Sequence, residues 1–177
     1  MIPINVTHTA IVTKEIHSQL LEPASSPPSE SKLEDQVPKA STKLRHTLST
    51  LISFFADSYR STFGFQHGPP LHDALTVAYV TRPELFTTTR HRVDIELTGT
   101  HSIGETVVDV WKYKEVDDTW GRTGRNCLVA DSLNVSLLCP FFRWTFLNSH
   151  TQVQGFFELL LGTVATCDAT TPLNKGG

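Results

Sequence analysis

A histidine and an aspartate stand side by side at residues 72 and 73, shortly after two consecutive prolines. An imidazole exchanges protons near neutral pH, and a carboxylate can orient an imidazole or bind a metal ion. His72 could therefore act as an acid or base, with Asp73 as a metal ligand or orienting group. The pair fits the first turn of a helix equally well, because Asp73 there would complement the helix dipole and cap N–H groups. Both interpretations stay open at the level of the pair alone.

A buried helix is expected to begin at this pair. Pro69 and Pro70 stop the preceding segment, an apolar run occupies residues 74–80, and Pro83 closes that run. Since a helix N-terminus disfavours a positively charged imidazole, an acid at position 72 would need a compensating partner. The sequence does not name that partner.

A long helix is expected before the pair, with Ser41 or Thr42 as its cap. Seven apolar residues recur there at helical spacing: Leu44, Leu48, Leu51, Ile52, Phe55, Tyr59 and Phe63. Such a stripe is typical of core packing. The aromatic end of the helix nevertheless lies immediately before the prolines, so Phe63 and Phe65 are candidate substrate-binding residues in a pocket above the pair.

Short strands complete the pattern. Alternation predicts strands at 2–6 and at 92–97, the second with its apolar residues towards the core and its two carboxylates as an ordinary polar face. Residues 105–111 should pair back as the second arm of a β-hairpin. A strand at 127–130 and a closing helix within 141–161 follow. Alternating helices and strands with a hairpin near the end predict an α/β domain.

Composition limits the function classes. With 177 residues, a formal charge of −3 and a pI near 6.2, the chain suits one domain and lacks the basic surface of a nucleic-acid-binding protein. It has no apolar run long enough to cross a membrane and no secretory signal at its start. Its three cysteines form no C-x-x-C motif, so the cytoplasm is expected. The Pro/Ser-rich composition of residues 22–43 predicts a flexible insertion. Residues 166–177 are expected to form a disordered tail.

Four segments in order resemble the inosine–uridine-preferring nucleoside hydrolase family. Residues 2–8 are similar to its strand that ends in a Pro-Leu-Asp/Asn-x-Thr turn. Residues 68–74 resemble its Gly-x-Pro-x-His-Asp-(Pro/Ala) motif, which follows a long helix as it does here. Residues 79–86 resemble the helix exit that comes next, and residues 93–109 resemble a Val-x-Val-Glu…Gly-x-Thr-Val-x-Asp hairpin.

The resemblance implies a fold and an activity. Residues 1–165, apart from the insertion, would be the C-terminal part of an α/β sandwich around a mostly parallel sheet. The family hydrolyses the N-glycosidic bond of ribonucleosides to base and ribose with a bound Ca²⁺. The resemblance places His72 as the residue that protonates or assists the departing base, and Asp73 as a calcium ligand. Because the sugar develops oxocarbenium character as the bond breaks, a proton donor near the base helps.

The family's Asp-x-Asp-x-x-x-Asp-Asp loop, which the resemblance makes the source of most calcium ligands, has no match in this sequence. Calcium takes six to eight oxygen ligands, so Asp73 alone cannot hold it. A strand pattern that starts at Met1 agrees with an incomplete domain. We therefore expect the C-terminal portion of a nucleoside N-ribohydrolase, inactive as an isolated chain. One alternative is a non-catalytic binding or dimerisation module, for which a homo-oligomer would be expected, and the other is an unrelated α/β domain.

Overall fold

Five α-helices and four short strands make up the part of the chain that the computed structural model describes, which is residues 1–22, 39–113, 124–133 and 153–175. The helices are α1 (Ile4–Thr7), α2 (Lys14–Leu21), α3 (Lys43–Phe63), α4 (His72–Thr81) and α5 (Gln154–Thr170). The strands are β1 (Phe86–His91), β2 (Val93–Ile95), β3 (Thr106–Val108) and β4 (Cys127–Leu133). Single 3₁₀ turns occupy Pro83–Leu85 and Pro172–Asn174.

The strands form two antiparallel pairs, β1 with β4 and β2 with β3. The β2–β3 pair is the hairpin that the sequence predicts, and it lies in the chain between the two strands of the other pair. Parallel strands need a crossover connection, usually a helix, and the described residues place none between these strands. Helices and strands together match a partial α/β domain. The mostly parallel sheet that the resemblance implies is not among the described pairings.

The hydrophobic core lies where the first turns of the chain meet α4, the β1–β4 pair and α5. Its buried members come from every one of these elements: Val6, Ala10, Val12, Leu75, Ala78, Leu85, Phe86, Ala130, Leu133, Val153, Phe156 and Phe157. Burial of about a dozen apolar side chains is the main favourable term for a unit of this size. The core holds the N-terminal turn against the start of α4, which is what positions the His72–Asp73 pair.

Helix α3 confirms the predicted long helix. The Thr42 hydroxyl accepts a hydrogen bond from the Arg45 amide at 3.2 Å, and Gly64 ends the helix at φ +74°. The predicted stripe is only partly core, however. Ile52 packs against the core, whereas Leu51, Phe55 and Phe63 are exposed on the outer face.

A buried ion pair fastens α3 to two other helices. Arg45 is 2% exposed, pairs through Nε with Asp168 of α5, and donates from Nη1 to the Leu20 carbonyl of α2 at 2.6 Å. The Thr42 hydroxyl donates to Asp168 at 2.7 Å, and the Asn174 amide donates to the same carboxylate at 3.3 Å. The described residues 166–175 contradict the disordered tail expected at 166–177, because α5 continues through Thr170 and Asn174 accepts from the Leu44 amide of α3 at 3.1 Å.

The strand predicted at residues 2–6 is wrong. Pro3, with φ −76°, is the N-cap of the one-turn helix α1. Val6 and Thr7 are both buried although they are consecutive, and Ile4 is exposed, so the burial does not alternate as a strand requires.

The predicted strands of the hairpin are too long. The paired strands cover residues 93–95 and 106–108, with one further backbone hydrogen bond at each end, from Glu96 to Glu105 and from Asp109 to Arg92. Ile95 and Leu97 are exposed instead of facing the core. The two carboxylates of this segment have local partners: Asp94 accepts from Arg92 Nε at 2.8 Å, and Glu96 accepts from the Thr98 amide at 2.7 Å.

Most of the insertion predicted at 22–43 lies outside the described residues. Its two ends are nevertheless close, because the Ser41 amide donates to the Leu21 carbonyl at 3.0 Å. Within the described ranges, none of the helices has the length and apolar character to cross a membrane.

Candidate functional site

A two-stranded contact between loops brings the N-terminal turn to His72. The Val12 amide donates to the Pro69 carbonyl at 2.9 Å, and the Leu71 amide donates to the Ala10 carbonyl at 3.0 Å. Gly68, at φ +135°, lies so close to this contact that an added Cβ would be 1.9 Å from the Val12 oxygen. Only glycine fits such a position without moving the backbone. The loop therefore fixes where α4 begins.

His72 is the first residue of α4, and both of its ring nitrogens have hydroxyl partners. Nδ1 lies 2.6 Å from Thr7 Oγ1, and Nε2 lies 2.8 Å from the Tyr59 hydroxyl. Thr7 also contacts the Ile4 carbonyl at 3.0 Å, and a carbonyl can only accept, so the threonine proton is used there. Thr7 Oγ1 must then accept from Nδ1–H, which leaves Nε2 of the neutral ring to accept from Tyr59.

The surroundings favour the neutral form of this ring. Burial lowers the pKa of His72 below its ordinary value, the nearby His8 ring lowers it further, and the negative charge of Asp73 partly opposes both. The two hydroxyls satisfy both ring nitrogens of the neutral imidazole. Of the described groups that influence the pKa of His72, the Asp73 carboxylate is the one that compensates a charged ring.

His72 belongs to a cluster of aromatic rings, two of which contact it directly. The His8 ring lies 5.3 Å from His72, and the Tyr59 ring lies 5.8 Å from it. Phe65 packs edge-on against both, at 5.1 Å from His8 and 5.6 Å from Tyr59. Phe63 touches only the outer side of the group, through Tyr59, and is 65% exposed. Of the two candidate substrate-binding residues, Phe65 is thus inside the cluster and Phe63 is at its edge.

Asp73 lies in the first turn of α4 with its side chain exposed. Among the residues that the structure describes, no group of three or more His, Cys, Asp or Glu side chains could hold a metal ion. Since calcium needs six to eight oxygens, the described residues do not fit a calcium site by themselves. Asp73 can supply one carboxylate to such a site and no more.

Sequence reasoning missed three members of the cluster, Thr7, His8 and Tyr59. Thr7 and His8 end the segment at residues 2–8 that carries part of the family resemblance, and that was the available signal. Tyr59 has a helical spacing from its apolar neighbours and was therefore assigned to the core stripe. Nothing in its spacing from His72 indicates a contact, because the two residues lie on different helices.

Comparisons with known proteins agree on one family. The sequence profile described as inosine-uridine preferring nucleoside hydrolase matches residues 1–138. A probable ribonucleoside hydrolase of Dictyostelium discoideum is 34% identical over 135 residues, which is 76% of this chain and 34% of that protein. A pyrimidine-specific ribonucleoside hydrolase RihA of Enterobacter sp. (strain 638) is 42% identical over 66 residues, 37% of this chain and 21% of the relative. The chain thus spans about a third of the length of the Dictyostelium relative.

One solved structure shows the fold. A purine-preferring ribonucleoside hydrolase from Gardnerella vaginalis matches 94% of this chain and 40% of its own, with a TM-score of 0.58 and 20% sequence identity. The likeness at this identity concerns the fold and not the chemistry. It places the described helices and strands within a larger α/β architecture.

Proposed function

The chain belongs to the inosine-uridine preferring nucleoside hydrolase family, and from that premise we propose that it is the His72-bearing portion of a ribonucleoside N-ribohydrolase. The substrate would be a purine or pyrimidine ribonucleoside, and the products the free base and ribose. The proposal depends on the His72 ring, which is held between the hydroxyls of Thr7 and Tyr59. His72 and Thr7 both lie in segments that resemble the family.

The proposed role of His72 is to deliver a proton to the departing base. When the ring is protonated, Nε2–H donates to the Tyr59 oxygen instead of accepting from it. The phenolic proton is then released from its bond to His72 and can point at a leaving nitrogen. Transfer of that proton to the base, with a proton passing from Nε2 to the phenolate, leaves neutral His72 and neutral Tyr59. Water supplies the hydroxyl that ends on the ribose carbon. The proton that this water loses passes to solvent, from which the His72 ring is protonated again before the next reaction.

Nucleoside hydrolases are generally metal-dependent, and we propose Asp73 as one calcium ligand. The described residues do not fit a complete site, so no step is assigned to the metal here. The remaining carboxylates would come from the Asp-rich loop that the family resemblance implies and this sequence lacks. We accordingly propose that the 177-residue chain hydrolyses nucleosides negligibly by itself.

The alternative function is a non-catalytic, nucleoside-hydrolase-like binding or dimerisation module. Within the described ranges, Asp73 belongs to no group of three or more side chains that could hold a metal ion, and this observation favours the module. In either case we propose that residues 1–165 belong to one domain of a cytoplasmic protein, with residues 22–43 as an insertion. A homo-oligomer remains part of the proposal for the module.

Reassembly tests the catalytic proposal. The chain is mixed with an N-terminal segment of the RihA relative that carries the Asp-rich loop, and ribose release from uridine and inosine is measured with and without Ca²⁺. We expect no release from the chain alone, metal-dependent release from the mixture, and none from a mixture containing His72→Ala.

The matched control is the same relative divided at the same place and reassembled from its own two segments. If that control hydrolyses nucleosides and the mixture with this chain does not, the catalytic proposal is wrong and the module is favoured. Ribose release by the 177-residue chain alone would contradict the proposal of an incomplete site.

A further inference from the structure

A second concave site lies beside the His72 cluster. A cavity of about 650 Å³ opens between residues 8–13, helix α2 and the first half of α5. This volume is within the range of small-molecule sites in proteins, about 300–1,000 Å³. Its floor is apolar and comes from three different elements: Ile11, Ile16, Val153, Phe157 and Leu161. Val153 and Phe157 also belong to the buried core, so this floor is part of the fixed structure.

The cavity is distinct from the place where His72 would act. Neither Thr7 nor Tyr59, the hydrogen-bond partners of His72, lines it, and His72 itself does not. The two sites share only His8, whose ring contributes to the cavity wall and lies 5.3 Å from the His72 ring. A molecule in the cavity would therefore touch a neighbour of His72 without reaching its ring nitrogens.

The rim of the cavity is polar and offers both kinds of hydrogen-bonding group. Gln19 and Gln154 carry carboxamides, His67 an imidazole and Glu158 a carboxylate. The Gln154 amide donates to the Glu158 carboxylate at 3.2 Å, which leaves the second carboxylate oxygen as an acceptor for a ligand. These four groups can meet N–H donors and C=O acceptors around the edge of one molecule.

The charges of the lining residues limit the class of ligand that this cavity could bind. Among the described residues that line the cavity there is no lysine or arginine, and Glu158 supplies a negative charge. Phosphates and nucleotides are disfavoured, because anion sites use cationic side chains. An apolar floor with a polar rim suits a flat, uncharged ring whose faces are apolar and whose edge carries N–H and C=O groups. A nucleobase has this combination.

We propose that this cavity is a second binding site, for a free nucleobase, next to the His72 cluster. The inference rests on the proposed function, because that reaction releases a base on the other side of His8. The base stacks against Phe157 and donates an N–H group to Glu158. Occupancy brings a ring against His8 and so couples product concentration to the surroundings of His72.

Calorimetric titration of the 177-residue chain with hypoxanthine and with uracil tests the site. Leu161→Trp fills the cavity from its floor, and we expect binding of both bases to be lost. Glu158→Gln removes the charge at the rim and should weaken binding by about fivefold to tenfold. Matched substitutions of exposed residues elsewhere, Leu173→Trp and Glu105→Gln, should leave the affinity unchanged. Circular dichroism melting of each variant verifies that it is folded.

His72→Ala separates this inference from the proposed function. We expect that variant to bind the bases as the parent chain does, because His72 does not line the cavity. Loss of binding in His72→Ala with binding retained in Leu161→Trp would place the base in the His72 cluster and overturn the inference alone. An absence of binding by either base to the parent chain would also overturn it. Neither outcome decides the reassembly experiment, which measures ribose release.

Discussion

At the scale of single residues, the hydrogen bonds around His72 determine which nitrogen carries the proton. The Thr7 hydroxyl donates its proton to the Ile4 carbonyl, so its oxygen can only accept from His72 Nδ1–H. This detail cannot be predicted from the sequence, because the alternation at residues 2–6 predicts a strand that leads into Thr7. Its importance follows only from the helical turn that faces its side chain towards α4.

Thr7→Val should change the tautomer of His72. In the parent chain we expect neutral His72 to carry its proton on Nδ1, seen by long-range ¹H–¹⁵N correlation spectra of the ring. Valine cannot accept, so the proton should move to Nε2, where it donates to the Tyr59 oxygen. Thr9→Val is the matched control, since Thr9 donates to the Val6 carbonyl and does not bond to His72. An Nε2–H ring in the parent chain would refute the assignment.

His17 should make the protein less stable in acid. Its Nε2 lies 2.7 Å from Ser49 Oγ between α2 and α3, and burial lowers the pKa of His17 below its ordinary 6.5. The unfolded chain therefore binds more protons than the folded chain between the lowered pKa and 6.5. The contribution of His17 to the free energy of unfolding is therefore fully present above pH 6.5. It decreases as the pH falls from 6.5 towards the lowered pKa.

The measurement is urea unfolding at about pH 7.5 and about pH 5.5. His72 has a lowered pKa too and adds to the loss in the same direction. We expect His17→Gln to reduce the difference between the two pH values, because glutamine does not titrate. Thr47→Gln, which places glutamine at an exposed position of the same helix, should keep that difference. Equal pH dependence in the parent and His17→Gln would show that His17 contributes nothing.

At the scale of elements, the sequence predicts what periodicity and caps determine. Helices α3 and α4 follow from the apolar repeats, the Thr42 cap and the two prolines. The failures have a common physical cause, since alternation at residues 2–6 and 92–97 describes side-chain chemistry and not the partner that would bury it. The sequence also does not indicate which elements pack against α3, because the most buried residue of this helix is a charged one, Arg45.

Arg45→Ala should destabilise the packing of α2, α3 and α5 together. It leaves the half-buried Asp168 carboxylate without its cation and the Leu20 carbonyl without its donor, a loss of about 2–4 kcal/mol in the free energy of unfolding. The control is Arg60→Ala on the same helix, where the Arg60–Asp57 side chains are 55% and 79% exposed. That change should cost less than about 1 kcal/mol. Equal losses in urea unfolding would contradict a structural role for the buried pair.

Gly68→Ala should disrupt the loop contact that positions α4. The added methyl group would meet the Val12 oxygen and require a strained φ, so we expect a loss of about 2–3 kcal/mol or more in thermal or urea unfolding. Gly64→Ala is the matched control, because Gly64 also has positive φ but open space around it. That variant should lose only about 1 kcal/mol. A reversed order of the two effects would exclude the close approach.

At the scale of the whole molecule, the described residues include the His72 cluster and no group of three or more side chains that could hold a metal ion. The family profile covers residues 1–138, but the chain spans about a third of its Dictyostelium relative. The sequence allowed the family to be predicted, from four segments that include the motif at residues 68–74. It did not allow the cavity beside α5 to be predicted, because that space is formed by residues about 150 positions apart.

Calcium should not stabilise the 177-residue chain. A ligand at 100 times its dissociation constant adds about 2.7 kcal/mol to the free energy of unfolding. With one exposed carboxylate at Asp73, we expect the melting temperature in millimolar Ca²⁺ to stay within about 1 °C of that in EDTA. Asp73→Asn should behave identically. A calcium-dependent rise of several degrees that Asp73→Asn abolishes would mean that the chain completes a metal site after all.

The loop contact at Gly68 also provides a built-in reporter. The Val12 amide donates to the Pro69 carbonyl, and the Leu71 amide donates to the Ala10 carbonyl. Both amide hydrogens can exchange with solvent only when the two loops separate. Their hydrogen–deuterium exchange therefore measures the opening of the His72 cluster directly. It does so without substrate, metal or turnover, and so gives a readout of site integrity that does not depend on enzymatic activity.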